Sequence, residues 1–149
     1  MFRDSLLFGV SGGDCPGLNS ALASVVQQAA KENLRVYALL NGLEALCSDP
    51  ADFAGRIMLL SPQMAADFKA WGSILSGSSR TNLTDKDPAK QATKQANAIA
   101  NARQFRGVVM VGGDDHAKQA GILADILKPS GIPVAILPKS IDFDCHTMM

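Results

Sequence analysis

Leu6-Leu7-Phe8-Gly9-Val10-Ser11-Gly12-Gly13-Asp14-Cys15-Pro16-Gly17-Leu18-Asn19 reads as an apolar strand, a glycine-rich turn and the first residues of a helix. The run 6–10 is short, apolar and closed by Ser-Gly-Gly, which suits a strand buried on both faces. Residues 18–30 follow with Leu18, Leu22, Val25, Val26 and Ala29 along one helical face. Residues 35–40 supply a second strand, so the segment is a strand–helix–strand unit.

The same alternation continues along the chain. A loop is expected at 47–55, a short strand at 57–60 and a short helix at 62–69. Residues 72–84, rich in Gly, Ser, Thr and Asn, read as a loop. An alanine-rich helix is expected at 88–104, with Pro88 near its first turn. It is followed by a strand at 107–111, a helix at 116–127 ended before Pro129 and Gly131, and a buried strand at 133–137. Strands alternating with helices imply right-handed crossovers. The expected fold is α/β: an open, mostly parallel sheet flanked by helices, a Rossmann-like three-layer arrangement. No linker or internal repeat divides the 149 residues, so one domain spanning 1–149 is expected.

Composition narrows the partners. Fourteen basic residues balance fourteen acidic ones, and no basic block supplies a footprint for nucleic acid. No run of about 18 apolar residues occurs, so no membrane span is expected. The first residues carry Asp4 and too short an apolar run for a signal peptide. Cys15, Cys47 and Cys145 are odd in number and widely spaced, which points to free thiols in a reducing, cytoplasmic setting. Trp71 and the scattered methionines are read as packing residues.

Three strands each run directly into a distinctive loop: 11–19, 112–115 and 138–144. In an open parallel sheet the ligand crevice lies beyond the carboxyl ends of the strands, so all three loops belong to one edge. Gly12 and Gly13 let a phosphate approach the backbone and the free amides of the next helix, although a tight turn needs glycines equally. Asp114 and Asp115 at a strand's end suit Mg²⁺ or, alternatively, a solvated helix start. In Pro138-Lys139-Ser140-Ile141-Asp142-Phe143-Asp144, the alternating carboxylates Asp142 and Asp144 share one side of an extended segment. One can take an alcohol proton, and Lys139 supplies a charge for phosphate. Arg80, after Gly77-Ser78-Ser79, can stabilise a transferring phosphoryl group or stand as an ordinary surface arginine. His116 reads as a helix-start residue.

Taken in order, these segments resemble the phosphofructokinase family. The resemblance rests on Ser11-Gly12-Gly13-Asp14 with Pro16-Gly17-Leu18-Asn19, and on Gly72-Ser73-Ile74-Leu75 with Ser78-Ser79-Arg80. It continues through Val111-Gly112-Gly113-Asp114-Asp115 and Gly131-Ile132-Pro133 to the 138–144 segment. It implies the N-terminal, donor-side half of that fold. By the resemblance, Asp142 is the general base for the 1-hydroxyl of fructose 6-phosphate, with Asp144 beside it. Asp114 holds Mg²⁺, Gly12 and Gly13 contact the phosphoryl donor, and Arg80 steadies the transferred group. Ser140 and Ile141 line the donor or sugar-phosphate site.

The resemblance also bears on the donor. ATP-using members are similar to one another in having glycine where this chain has Asp115 and Lys139, whereas pyrophosphate-using members resemble this chain at both. A side chain at Asp115 crowds an α-phosphate, and Lys139 adds charge for free pyrophosphate. Pyrophosphate is therefore the expected donor, with ATP as the alternative. Ser140, Phe143, His116 and Cys15 stand where the family usually has threonine, asparagine, serine and alanine. The loop before Arg80 is one residue longer than usual, around Ser76. A homo-oligomer is expected for the full-length enzyme. The sugar half lies outside the resemblance, so this chain alone is expected to be inactive. A non-catalytic relative that binds polyphosphate or assembles with a partner is the reading from another class.

Overall fold

The computed structural model describes residues 2–139, with the side chain of Phe2 excepted. The site residues Ser140, Ile141, Asp142 and Asp144, together with Phe143 and Cys145, lie outside the described residues.

Among the described residues five strands form one sheet: β1 (Phe2–Val10), β2 (Arg35–Leu39), β3 (Ile57–Leu60), β4 (Phe105–Gly112) and β5 (Val134–Pro138). Their order is β3-β2-β1-β4-β5. β1 runs parallel to β2 and β4, β4 runs parallel to β5, and only β3 is antiparallel, against β2. The helices are α1 (Leu18–Lys31), α2 (Leu43–Leu46), α3 (Pro62–Phe68), α4 (Pro88–Ala102) and α5 (Asp114–Leu127).

Alternation along the strands sends side chains to two separate cores. Leu7, Leu39, Val108 and Met110 pack with α2, α4 and α5. Phe8, Val10, Val36, Ala38 and Val111 pack with Leu18, Leu22 and Val26 of α1 and Ala65 of α3. The chain therefore forms three layers, with a helical layer on each face of the sheet. Burying a side chain such as Phe8 or Leu22, both at most 1% exposed, contributes about 1.5–3 kcal/mol each. The expected α/β architecture is the observed one.

Two expectations need correction. β5 was expected to be a buried strand, yet among the described residues it pairs only with β4, and Ile136 and Leu137 are 38% and 36% exposed. An apolar run marks a strand but does not say whether a neighbour lies on each side of it. Within the stretch 47–55, expected to be a loop, Phe53 begins a 3-10 turn and buries its ring edge-on to Phe105, 6.2 Å between centroids.

Local signals explain the helix starts. Ser61 caps α3 by accepting from the Met64 amide at 3.1 Å, and Asp87 caps α4 by accepting from the Ala89 amide at 2.9 Å. Each is followed by a proline at the first helical position. The helices α1 and α5 differ: their caps are Gly17 and Gly113, with no side-chain cap on either.

Candidate functional site

β1 and β4 are neighbours although α1, β2, β3 and α4 separate them in sequence, and the chain crosses to opposite sides of β1 on leaving it and on returning. The sheet's topological switch point is thus between β1 and β4. The turns after these strands, 11–17 and 113, stand side by side: the Ser11 amide donates to the Val111 carbonyl at 3.0 Å. Both lead into the uncapped helix starts, whose first-turn amides need a partner from elsewhere and carry the positive end of the helix dipole. A methyl group added at Gly12 or Gly13 would meet nothing within 4 Å, so the backbone there is open to a ligand.

Lys139, directly after β5, joins the same edge. The Lys139 amide donates to the Gly112 carbonyl at 2.8 Å, and its ammonium donates to the Gly13 carbonyl. The described parts of all three loops therefore meet. Lys139 reaches the glycine turn itself, which its position after β5 alone did not foretell.

Asp114 and Asp115 occupy the first turn of α5. Both are exposed, and Lys118 lies 3.9 Å from one and 3.5 Å from the other. Surface pairs of this kind contribute little, about 0.3–0.5 kcal/mol, so Lys118 leaves both carboxylates accessible. Among the described residues no group of three or more His, Cys, Asp or Glu side chains forms a metal cluster. Two carboxylates nonetheless fit Mg²⁺, which takes one or two from protein and completes its shell with water and phosphate oxygens.

His116 is the third residue of α5, a helix-start residue as expected, and it is also buried. It is 4% exposed, and neither ring nitrogen has a hydrogen-bond partner among the described residues. Its ring lies over Gly112, where an added methyl would come within 2.3–2.5 Å of it. Only glycine leaves room for that approach. Burial first, and the charge of Lys139 second, push the imidazole down to about 4.

Arg80 is brought to this edge by contacts that run from residues 71–79 to the turn after β1. Ser79 lies beside Ser11 in a parallel bridge, and its carbonyl accepts from the Gly12 amide at 3.0 Å and the Ser11 hydroxyl at 3.1 Å. The Ser78 hydroxyl donates to the Gly12 carbonyl at 2.8 Å. The Gly12 amide is therefore already committed, leaving the helix-start amides as the free donors. The added residue near Ser76 is accommodated: Ser76 is buried, and its carbonyl accepts from the Asn41 amide at 2.9 Å. Arg80 itself is exposed and makes no ion pair among the described residues.

Two residues quoted in the sequence without a role emerge here. The Asp14 carboxylate accepts from the Ser73 hydroxyl at 2.5 Å and the Ile74 amide at 3.1 Å. Asn19 bonds the main chain at Trp71, Ser73 and Leu75. No local pattern marks these partners, because they lie more than fifty positions away. Trp71, expected as a packing residue, is 57% exposed and stands edge-on to Phe68, 4.3 Å between centroids. Cys15 and Cys47 are free thiols, and burial pushes Cys47 up to about 11, away from reactivity. No helix among the described residues is long and apolar enough to cross a membrane.

Comparison with known proteins is consistent across sequence and structure. The family model described as phosphofructokinase matches residues 6–148. The ATP-dependent 6-phosphofructokinase of Blochmanniella floridana is 33% identical over 134 residues, covering 90% of this chain and 38% of the relative. The pyrophosphate–fructose 6-phosphate 1-phosphotransferase of Dictyoglomus thermophilum is 32% identical over 135 residues, covering 89% and 35%. The chain thus spans less than two-fifths of the length of these relatives. Among solved structures, the phosphofructokinase of Pichia pastoris in the T-state superposes with a TM-score of 0.77, at 17% identity over 95% of this chain and 17% of that one. The pyrophosphate-dependent phosphofructokinase of Marinobacter aquaeolei gives 0.67, at 19% identity over 89% and 32%. At these identities the structures speak for the fold.

Proposed function

Since the chain belongs to the phosphofructokinase family, we propose that it carries the donor side of a cytoplasmic pyrophosphate–fructose 6-phosphate 1-phosphotransferase. The observation that carries the reading is the meeting of Lys139, Gly13 and the uncapped start of α5, with Asp115 exposed on its first turn. Lys139 and the free amides of α1 and α5 bind the donor anion. Asp115, as a fixed negative charge at the mouth, disfavours the longer chain of a nucleoside triphosphate. Arg80 steadies the charge on the transferred phosphoryl group. Asp142, with Asp144 beside it, accepts the proton of the sugar 1-hydroxyl as its oxygen bonds to phosphorus and the bridging P–O bond breaks. Orthophosphate leaves. Ser140 and Ile141 line the donor or sugar-phosphate site. Asp114, with Asp115 adjacent, would hold Mg²⁺, which supplies charge neutralisation for the donor's oxygens. The sugar's remaining contacts belong to the other part of a full-length, homo-oligomeric enzyme.

ATP is the second reading, favoured by the names of most of the similar relatives, such as that from Blochmanniella floridana. Titration calorimetry of the chain with pyrophosphate and with ATP, each with magnesium, separates the two. Pyrophosphate is expected to bind and to displace ATP. ATP binding that survives excess pyrophosphate would overturn the donor assignment. In Asp115→Gly, ATP is expected to bind about tenfold more tightly, the equivalent of about 1.4 kcal/mol of relieved repulsion. An unchanged ATP affinity would remove the argument from crowding and charge.

A further inference from the structure

The stretch 69–87 contains no regular helix or strand beyond its single bridge, yet it delivers Arg80 to the sheet's edge. A long loop of this kind needs its own ordering contacts, and over residues 71–75 the side-chain contacts converge on two residues, while Asn41 holds Ser76 and α4 and α5 hold residues 83–85. Asn19, in the first turn of α1, is 2% exposed and bonds through both its amide nitrogen and its oxygen. Its nitrogen donates to the Trp71 carbonyl at 3.2 Å and the Ser73 carbonyl at 2.6 Å, and its oxygen accepts from the Leu75 amide at 3.0 Å. Asp14, five residues earlier, accepts from Ser73 and Ile74. Further along, the strand-like contact of Ser11 and Gly12 with Ser79 takes over.

The guanidinium-bearing loop is therefore clamped at both of its approaches to the turn and helix start that offer amide donors. An asparagine that spends both amide donors and its oxygen on another loop's main chain does not cap its own helix. Its effect is on where residues 71–79, and so Arg80, lie.

We propose that Asn19 and Asp14 are positioning residues that hold Arg80 against the β1–α1 turn, so that guanidinium and helix-start amides form one preassembled polyphosphate site. This rests on the reading of Arg80 and the glycine turn as donor-binding groups. Preassembly means that the loop's ordering is complete before the anion arrives, which raises affinity without adding a contact to it.

The test combines a double-mutant cycle with amide hydrogen exchange on this chain, using magnesium pyrophosphate as the probe. Arg80→Ala is expected to weaken binding roughly ten- to a hundredfold, as for loss of a charge-assisted hydrogen bond. Asn19→Ala is expected to weaken it about tenfold, and the double variant to bind within about twofold of Arg80→Ala alone. Losses that multiply would overturn the proposal, because Asn19 would then act independently of Arg80. Exchange at the Gly12 amide, which Asn19 does not touch, is expected to accelerate in Asn19→Ala while that of Phe8 in β1 is unchanged. An unaltered Gly12 amide would also overturn it, whatever the ligand result. Should Asn19→Ala fail to fold, Ser73→Ala, which removes only the hydroxyl bonded to Asp14, is read in the same two ways with a smaller expected loss, about threefold. Absence of pyrophosphate binding by the unaltered chain would instead remove the donor reading, which the exchange measurement does not depend on.

Discussion

Gly42→Ala is expected to cost about 3–5 kcal/mol, enough to leave the chain largely unfolded at 37 °C. Gly42 turns the chain out of β2 into α2 with φ 60° and ψ −126°, a region that L side chains rarely enter. A Cβ there would stand 2.0 Å from the Val10 carbonyl oxygen and 3.0 Å from its carbon. Neither partner can give way. Val10 is fully buried in the central strand, hydrogen-bonded to its neighbour and one residue before the Ser11–Gly13 turn. A turn remote in sequence from the donor loop thus sets the space in which that loop begins. Urea denaturation followed by circular dichroism measures the loss. Gly121→Ala in α5 is the control, since an added methyl meets nothing within 4 Å there, and it is expected to stabilise by about 0.5–1 kcal/mol. A Gly42→Ala midpoint within error of the parent would contradict the clash.

Stability is also expected to fall steeply between about pH 6.5 and pH 4, because of one residue. In the unfolded chain His116 titrates near its ordinary 6.5, whereas burial and then the neighbouring charge of Lys139 hold it at about 4 when folded. Between those values the unfolded chain binds a proton that the folded chain refuses, so ΔG of unfolding decreases as pH falls. The contribution is complete above about pH 6.5 and lost by about pH 4. A shift of that size corresponds to about 3 kcal/mol. Asp85, held below its ordinary range chiefly by the hydrogen bond from Lys94, acts only at lower pH, so the two windows separate. Urea midpoints measured across pH 4–7 without metal test this. His116→Leu is expected to flatten the curve in that window, and a variant that kept the full slope would assign it elsewhere.

Much of the framework is legible in local pattern. The apolar run 6–10 before Ser11-Gly12-Gly13, the face formed by Leu18, Leu22 and Val26, and Pro88 after Asp87 each carry their own physical signal of strand, helix or cap. Period-two and period-3.6 burial need only neighbours along the chain, and the observed elements follow them to within a few residues at their ends, except the one-turn helix α2 and the 3-10 turn at Phe53, which were not expected. The crossover logic also brings the turns after β1 and β4 together. His116 shows where that legibility ends. Its place at the start of α5 is legible but its burial is not, because the missing side chain at Gly112 opens the space into which its ring packs. That β5 pairs only with β4 among the described residues was equally invisible, because Ile136 and Leu137 read alike whether a further strand lies beside them or not.

By itself the sequence determined the strand–helix alternation and the loops that share one edge of the sheet, with Gly12, Gly13, Asp114, Asp115 and Lys139 on them. Only the tertiary structure decided how those groups are held. Asn19 finds Ser73 fifty-four positions later, and Lys139 reaches back to Gly13. Secondary structure is written in repeating contacts between near neighbours, which a sequence displays. A loop clamp is written in single hydrogen bonds between distant residues, whose partners exist only once the sheet has brought them together.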